Sequence, residues 1–282
     1  MDAQPVLDRL AQAGLASVKS DLARLLQPAI RVTPQRAEDS ALAIGASRLG
    51  GAPDLPTGTA WPRGKSGSLG FIAQIRLDDM KGLAGADALP ESGWLLFFYD
   101  ATQETYGDDP DSRGNWQVLY APANATLQRA SLPDDLPAEA RYQTCTVTFS
   151  EELTLPVQPE LEIPGLSWSD DEKTQYEQAL ATFPTPEEHG TFHTRLLGHP
   201  DTLQDDMRVE CQLASHGISS PDDPRAAPLI PDANQWRLLL QVDSDDRAGM
   251  RWASAGMLYF WIESVALAEQ RFDNTWVVLQ SD

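Results

Sequence analysis

Residues 48–55 read RLGGAPDL, and residues 195–203 read RLLGHPDTL. Both segments place arginine and leucine before a glycine, and both continue into a proline–aspartate pair. Glycine permits positive φ and proline restricts the chain just beyond it, so the two segments predict rigid corners of the same kind. After the first corner, Trp61 precedes another proline and is expected to cover the neighbouring strand as a lid on the core.

Two more pairs of matching segments follow the corners in the same order. They are FIAQIRLDD at 71–79 with LLLQVDSDD at 238–246, and GWLLFFYD at 93–100 with GMLYFWIE at 256–263. Three ordered matches predict an internal repeat that covers about 47–122 and 195–280. The acidic insert 204–234 separates the first two matched segments of the second copy and is the main departure from symmetry.

The pattern of the whole chain predicts an α+β fold. Short apolar runs separated by Gly, Pro and Asp indicate predominantly antiparallel β-sheets from two related halves, within a single compact domain, 1–282. Leucine spacing predicts short N-terminal helices within 3–27, and residues 29–33 and 42–47 read as strands. Ser169 and Glu172 form a capping box, which predicts one central capped helix that ends before Pro184. Residues 186–194 read as a linker.

The net charge of the chain limits the classes of partner that it is expected to bind. The formal net charge is -21, and the second half, 142–282, carries 24 acidic against 8 basic residues. Such a field repels phosphate backbones and anionic lipid, so we expect neither nucleic-acid nor membrane binding, and a basic partner would be attracted. Two cysteines are too few for a disulfide framework. The sequence shows neither a leader peptide nor an apolar run that could span a membrane, so a cytoplasmic location is expected.

Motifs for common cofactors are incomplete. The first corner lacks the spacing of a phosphate-binding loop, and Pro53 removes an amide that such a loop would use. His189, His193, His199 and His216 lie close in sequence, but Gly190 interrupts the only helical pair. DSDD at 243–246 begins like a calcium loop and lacks its glycine and final glutamate. We therefore predict no cofactor, no metal and no catalytic residue.

Two glutamines in apolar strands are candidates for either a structural role or a binding role. Gln74 and Gln241 occupy equivalent places in the repeat, and a buried amide must find hydrogen-bond partners. They either bond the backbone of the adjacent corners, or line a cleft between the halves with Arg48, Arg195 and Trp61. Asp243, which follows Gln241 on the same strand, completes the set of candidate ligand- or partner-binding residues.

The repeated segments together carry a family resemblance. RLGGAPDLPTGTAWP, GFIAQIRLDD, LLGHPDTLQDD, WRLLLQVDSDD and GMLYFWIESVALAEQRFDNTWVVLQ, which span 47–280, resemble the YwqG-like family of uncharacterised bacterial proteins. The resemblance implies a mixed α and β fold with antiparallel sheets, no established enzymatic activity and no catalytic residues to transfer. It also implies an immunity or partner-binding role, since some members are encoded near secreted toxin systems.

Three functions follow as expectations. The first is a non-enzymatic cytoplasmic protein, of the immunity type or another partner-binding type, whose acidic surface docks a basic protein such as a toxin. The second is an enzyme or small-ligand protein that uses a cleft between the halves. The third is a scaffold whose charge only confers solubility. The pattern predicts no oligomeric state.

Overall fold

The computed structural model of the chain describes residues 2–163, 165–183 and 193–281. The α-helices in these ranges are short: α1 (Gln4–Leu10), α2 (Lys19–Leu25), α3 (Pro159–Glu162), α4 (Asp170–Leu180), α5 (Arg208–Ser215) and α6 (Ser264–Ala268). A π-helical turn at Ala11–Leu15 joins α1 to α2. Single 3-10 turns occur at Asp39–Ala41, Leu77–Met80, Ala86–Ala88, Pro110–Ser112, Ala138–Ala140, Ile230–Gln235 and Phe272–Asn274.

The strands carry most of the architecture. They are β1 (Gln27–Arg36), β2 (Arg48–Leu49), β3 (Asp54–Pro56), β4 (Arg63–Gly64), β5 (Gly67–Ser68), β6 (Gly70–Arg76), β7 (Trp94–Tyr99), β8 (Trp116–Ala121), β9 (Leu127–Arg129), β10 (Cys145–Thr154), β11 (Arg195–Leu196), β12 (Trp236–Asp243), β13 (Met257–Glu263) and β14 (Thr275–Gln280). Ten form one antiparallel sheet in the order β14-β13-β12-β11-β1-β10-β2-β6-β7-β8, while β3–β9 and β4–β5 form two small sheets.

The order of the large sheet is symmetric about its centre. We call residues 27–129 the first half and residues 145–280 the second half. Each half supplies one long central strand, one two-residue strand and a three-stranded meander. The central strands are exchanged: β1 of the first half pairs with β11 of the second, and β10 of the second pairs with β2 of the first. The two halves are therefore interleaved and do not lie side by side.

Aromatic side chains bring the two meanders together. Phe97 on β7 and Phe260 on β13 meet edge to face, with ring centroids 5.1 Å apart. Trp116 on β8 and Trp276 on β14 pack in the same way at 4.8 Å. The outermost strands of the sheet thus approach each other, and the sheet is nearly closed around a core of aromatic and aliphatic residues.

The predicted helices are confirmed at both places. Gly14 has a φ of +95°, which breaks the N-terminal stretch into two short helices. Leu15 and Leu22 from this stretch pack against Tyr176 of α4. The capping box at the start of α4 is present, with Ser169 and Glu172 bonding each other's backbone.

Two segments differ from the sequence prediction. Residues 42–47 do not form the predicted strand, because Gly45 adopts a φ of +81° and its N–H donates to Asp54 Oδ2 at 2.8 Å. The acidic insert 204–234 contains helix α5, which the pattern did not predict. Four consecutive residues of α5, Cys211, Gln212, Leu213 and Ala214, are buried, so this part of the helix is enclosed on all sides and not along one apolar stripe.

Candidate functional site

The first corner is held by a buried arginine and a buried glutamine. Arg48 on β2 and Gln74 on β6 are register partners, and neither side chain is exposed. Gln74 Oε1 accepts from the Asp54 N–H at 2.7 Å, and its Nε2 donates to the Ala46 carbonyl at 2.9 Å. Arg48 donates to Asp39 Oδ1 at 2.8 Å and lies 3.6 Å from the Asp54 carboxylate. We call this set the first anchor.

The second corner repeats these contacts with its own residues. Arg195 on β11 and Gln241 on β12 are register partners. Gln241 Oε1 accepts from the Asp201 N–H at 2.8 Å, and its Nε2 donates to the His193 carbonyl at 2.6 Å. Arg195 donates to Asp201 Oδ2 and approaches Glu152 Oε1 at 3.1 Å. This second anchor has the same hydrogen-bond pattern as the first, with a different set of countercharges.

Backbone geometry explains why each corner has its glycine. Gly51 and Gly198 have φ values of +70° and +72°, and a Cβ on either would collide with a threonine hydroxyl, Thr144 or Thr154. The left-handed conformation and the close approach both favour glycine. The anchors therefore fix the corners. Of the two roles considered for Gln74 and Gln241, this is the one in which each bonds the backbone of its adjacent corner.

The structure separates the candidate residues into distinct places. Arg48 and Gln74 lie in the first anchor, and Arg195 and Gln241 in the second, with strands β1 and β10 between the two sets. Trp61 lies apart from both anchors: it packs edge to face on Phe98 at 5.8 Å and donates to the Leu69 carbonyl at 2.9 Å. It is the lid that the sequence predicted. These residues line no single shared cleft.

Asp243 borders the second anchor. Its N–H donates to Thr194 Oγ1 at 3.1 Å, and its carboxylate accepts from the His193 N–H at 3.3 Å. Burial raises the pKa of Asp243, and the nearby Asp201 carboxylate raises it further. The first half has Arg76 at the matching position, where its N–H bonds Ser47 Oγ at 2.8 Å.

The two anchors differ at the aspartate that follows the corner proline, since Asp54 is fully buried and Asp201 is not. Arg129 seals the first anchor by donating to Asp54 Oδ1 at 2.6 Å. In the second anchor, the Asp201 side chain keeps 36% exposure, and His193 Nδ1 lies 2.9 Å from its Oδ2. Burial raises the pKa of Asp201, but Arg195 and His193 outweigh it and hold that pKa well below its ordinary value. The carboxylate is thus a fixed negative charge. His189, considered above beside His193, lies outside the described residues.

An acidic surface is the other polar feature of the molecule. Two segments meet beside β14: the loop after β7, which contributes Asp108 and Asp109, and the region of α5, which contributes Asp205 and Glu210. We call these four residues the acidic face. Gln280 on β14 holds the second segment by donating to the Asp205 carbonyl at 2.9 Å, and the Leu279 N–H holds the loop by donating to the Tyr106 carbonyl at 3.0 Å.

Asp108 and Glu210 oppose each other on this face. Burial raises the pKa of Glu210 to about 7, and the Asp108 charge contributes to the rise. Tyr106 beside them is 49% exposed. The cations beside these segments are engaged elsewhere: Arg208 pairs with Asp206 and Glu162, and Arg113 is stacked over the Trp276 ring at 5.3 Å. The face therefore presents carboxylates that repel each other and an exposed aromatic ring.

Sequence reasoning found the arginines and glutamines and missed their countercharges. Asp54 and Asp201 could have been predicted from the sequence, since each follows the proline of its corner. Asp39 and Glu152 join the anchors only through tertiary contacts, and no local signal identifies them. The pair Asp108–Glu210 is also brought together only by the fold.

Fold and contacts define an α+β protein with one interleaved, nearly closed antiparallel sheet and an anchored corner in each half. The chain belongs to the DUF1963 family, a domain of unknown function, whose sequence model matches residues 47–281. No curated protein matches the chain. In the part of the chain that the structure describes, no helix is long and apolar enough to cross a membrane.

Proposed function

We propose that this protein is a non-enzymatic binding protein that docks a basic partner protein on its acidic face. The observation that carries the proposal is the meeting of two acidic segments beside β14, which brings Asp108 within electrostatic reach of Glu210. Two carboxylates that repel each other gain most from a cation placed between them. A lysine or arginine side chain of a partner supplies that cation.

The wider charge distribution supports the same proposal. Residues 142–282 carry 24 acidic and 8 basic residues, so their field attracts a basic protein from a distance. Complementary charge of this kind raises association rates and selects among partners. The exposed ring of Tyr106 adds apolar and cation–π contact area at the same place. Conversely, the candidate polar groups Arg48, Gln74 and Gln241 are occupied in holding the corners, which favours recognition over catalysis.

An immunity-type antagonist that neutralises a basic toxin in the cytoplasm is the finer form of this proposal. Its support is the acidic field together with the resemblance to proteins encoded near toxin systems. The protein encoded beside this chain is the first partner to test.

A capture experiment tests the docking proposal. The immobilised protein is mixed with that neighbouring protein at low and high salt, beside two double variants of equal charge change. We expect Asp108→Asn with Glu210→Gln to weaken binding about tenfold at pH 8, where Glu210 is ionised and the double variant therefore loses two carboxylate charges. The control, Asp222→Asn with Asp232→Asn, removes two exposed charges elsewhere and should bind as the native protein does. Equal binding by both variants, or no capture at either salt concentration, would count against the proposal.

The raised pKa of Glu210 predicts a pH dependence of stability. Its value in the folded protein, about 7, lies above the ordinary value of an unfolded chain. The folded state therefore binds this proton more tightly, and the contribution to stability declines as pH rises through 7. We expect Glu210→Gln to be more stable than the native protein at pH 8, by about 1–2 kcal/mol, with the gain disappearing near pH 4. Urea unfolding across this range measures it, and a pH-independent difference would contradict the assignment.

A further inference from the structure

Strand β11 is much shorter than its neighbours in the sheet. It consists of Arg195–Leu196, and the chain then leaves the sheet at Leu197 and Gly198, with φ values of +62° and +72°. On one side β1 continues to Gln27, and on the other β12 continues back to Trp236. Beyond Leu196, no strand of the described chain lies between them. This leaves a gap in the sheet, between residues 27–29 and residues 236–239.

A groove of about 600 Å³ opens at this gap. Its volume lies in the range of sites that enclose small ligands or short chain segments. Leu89, Leu197, Leu238 and Leu267 provide apolar side chains that are each less than a tenth exposed. Polar groups border them, from Gln27, Asp87, Arg237, Ser264 and Gln270. The lining comes from both halves of the chain.

A buried donor faces a second, smaller cavity at the same gap. This cavity of about 50 Å³ shares Gln27, Gly198, Arg237 and Leu238 with the groove. Trp261 lines it, is 2% exposed, and has an indole N–H for which the described residues provide no acceptor. Buried donors are nearly always hydrogen-bonded, so this N–H indicates an acceptor other than the described residues.

The matching place in the first half is closed. There, the Gly51 N–H donates to the Tyr142 carbonyl, and the Gly50 N–H donates to the Ile72 carbonyl at 2.9 Å. In the second half, the Leu197 N–H reaches the Leu239 carbonyl only at 3.4 Å. Leu197 also holds a left-handed φ that its counterpart Gly50 adopts without strain. The open gap is thus a property of the second half alone.

We propose that the gap binds an extended peptide segment, which adds to the sheet as a short strand between β1 and β12. Addition of a strand to an open sheet edge is a common mode of peptide recognition, and alternate side chains then enter pockets beside the edge. An apolar side chain of the segment occupies the groove on Leu197 and Leu267. A carbonyl of the segment accepts from the Trp261 N–H.

The charged groups around the small cavity balance one another. Glu162 and Asp206 border it and both pair with Arg208, and Arg237 also lines it. A neutral peptide carbonyl therefore fits there without an added counterion. Pro28 lacks an N–H, so β1 leaves no donor unpaired at that position while the gap is empty.

Titration with a blocked peptide, acetyl-Val-Thr-Val-Thr-amide, tests the site. The readout is the indole ¹H–¹⁵N resonance of Trp261, assigned by its loss in Trp261→Phe. We expect a saturable shift at millimolar peptide. Ala268→Trp, which fills the groove from its exposed rim on α6, should weaken binding at least tenfold, whereas Val265→Trp, exposed on the same helix and outside the groove, should not.

Two further probes make the outcome decisive. Acetyl-Val-Pro-Val-Pro-amide lacks the two N–H groups that the threonines donate to one strand edge, and it should bind about tenfold more weakly. The proposal is overturned if Trp261 does not respond, if the two α6 variants bind equally, or if decanoate displaces the peptide and binds more tightly. Asp108→Asn with Glu210→Gln should leave the titration unchanged, so this test is independent of the acidic face.

Discussion

A fragment restricted to residues 47–281, the extent of the family match, is expected not to fold. It lacks β1, which lies at the centre of the sheet and pairs with β10 along ten residues. Deletion takes the fully buried Ile30 and Val32 out of the core and exposes the edges of β10 and β11. We expect a loss comparable to the whole stability of a domain, about 5–15 kcal/mol.

Solubility, circular dichroism and urea unfolding of two fragments and the full chain check this expectation. The fragment 27–281 keeps every strand and should unfold cooperatively, although loss of α1 and α2 exposes Tyr176 of α4. The full chain is the reference. Cooperative unfolding of the 47–281 fragment at the same urea concentration as the 27–281 fragment would show that β1 is dispensable.

Replacement of Arg48 by methionine is expected to destabilise the protein strongly. Arg48 is fully buried, and its removal leaves Asp39 and Asp54 with Arg129 as their remaining cation. Breaking a buried ion pair by removing one partner costs about 3–5 kcal/mol. Arg195→Met should cost less, since Asp201 retains His193 and some solvent.

Urea unfolding of the Arg48 variant is compared with that of Arg225→Met. Arg225 is exposed and pairs with Asp223 in its own turn, so its loss should leave the unfolding midpoint unchanged. Measuring ligand binding by the Arg48 variant as well as its stability distinguishes a structural role of the first anchor from a binding role. If Arg48→Met kept native stability and lost binding, the first anchor would be a ligand site and not a structural support.

Local sequence signals predicted the parts of the fold that local chemistry determines. The capping box at Ser169, the break at Gly14 and the two glycine corners each depend on residues a few positions apart. The glutamines were also predictable, because a polar amide in an apolar strand needs partners that the neighbouring corner supplies. In each case the interacting groups lie on one strand, one turn or one adjacent loop.

The exchange of the central strands was not predictable in this way. β1 and β10 read as ordinary strands, and nothing in either segment specifies that each lies beside the other half of the chain. The acidic face was not predictable for the same reason, because Asp108 and Glu210 come near each other only when both of their segments pack beside β14. The gap beside β11 exists because no strand continues β11 beyond Leu196. A sequence pattern can indicate a strand, but it does not indicate the absence of one.

The exchanged strands have a consequence for synthesis on the ribosome. Gln27 enters the nascent chain 127 residues before its partner Thr154. At bacterial or eukaryotic elongation speeds, β1 waits on the order of ten seconds for β10, with its backbone unpaired and Ile30 and Val32 exposed throughout. Chaperones that hold emerging hydrophobic segments should therefore engage the first third of this polypeptide, and slower translation should prolong its exposure to aggregation.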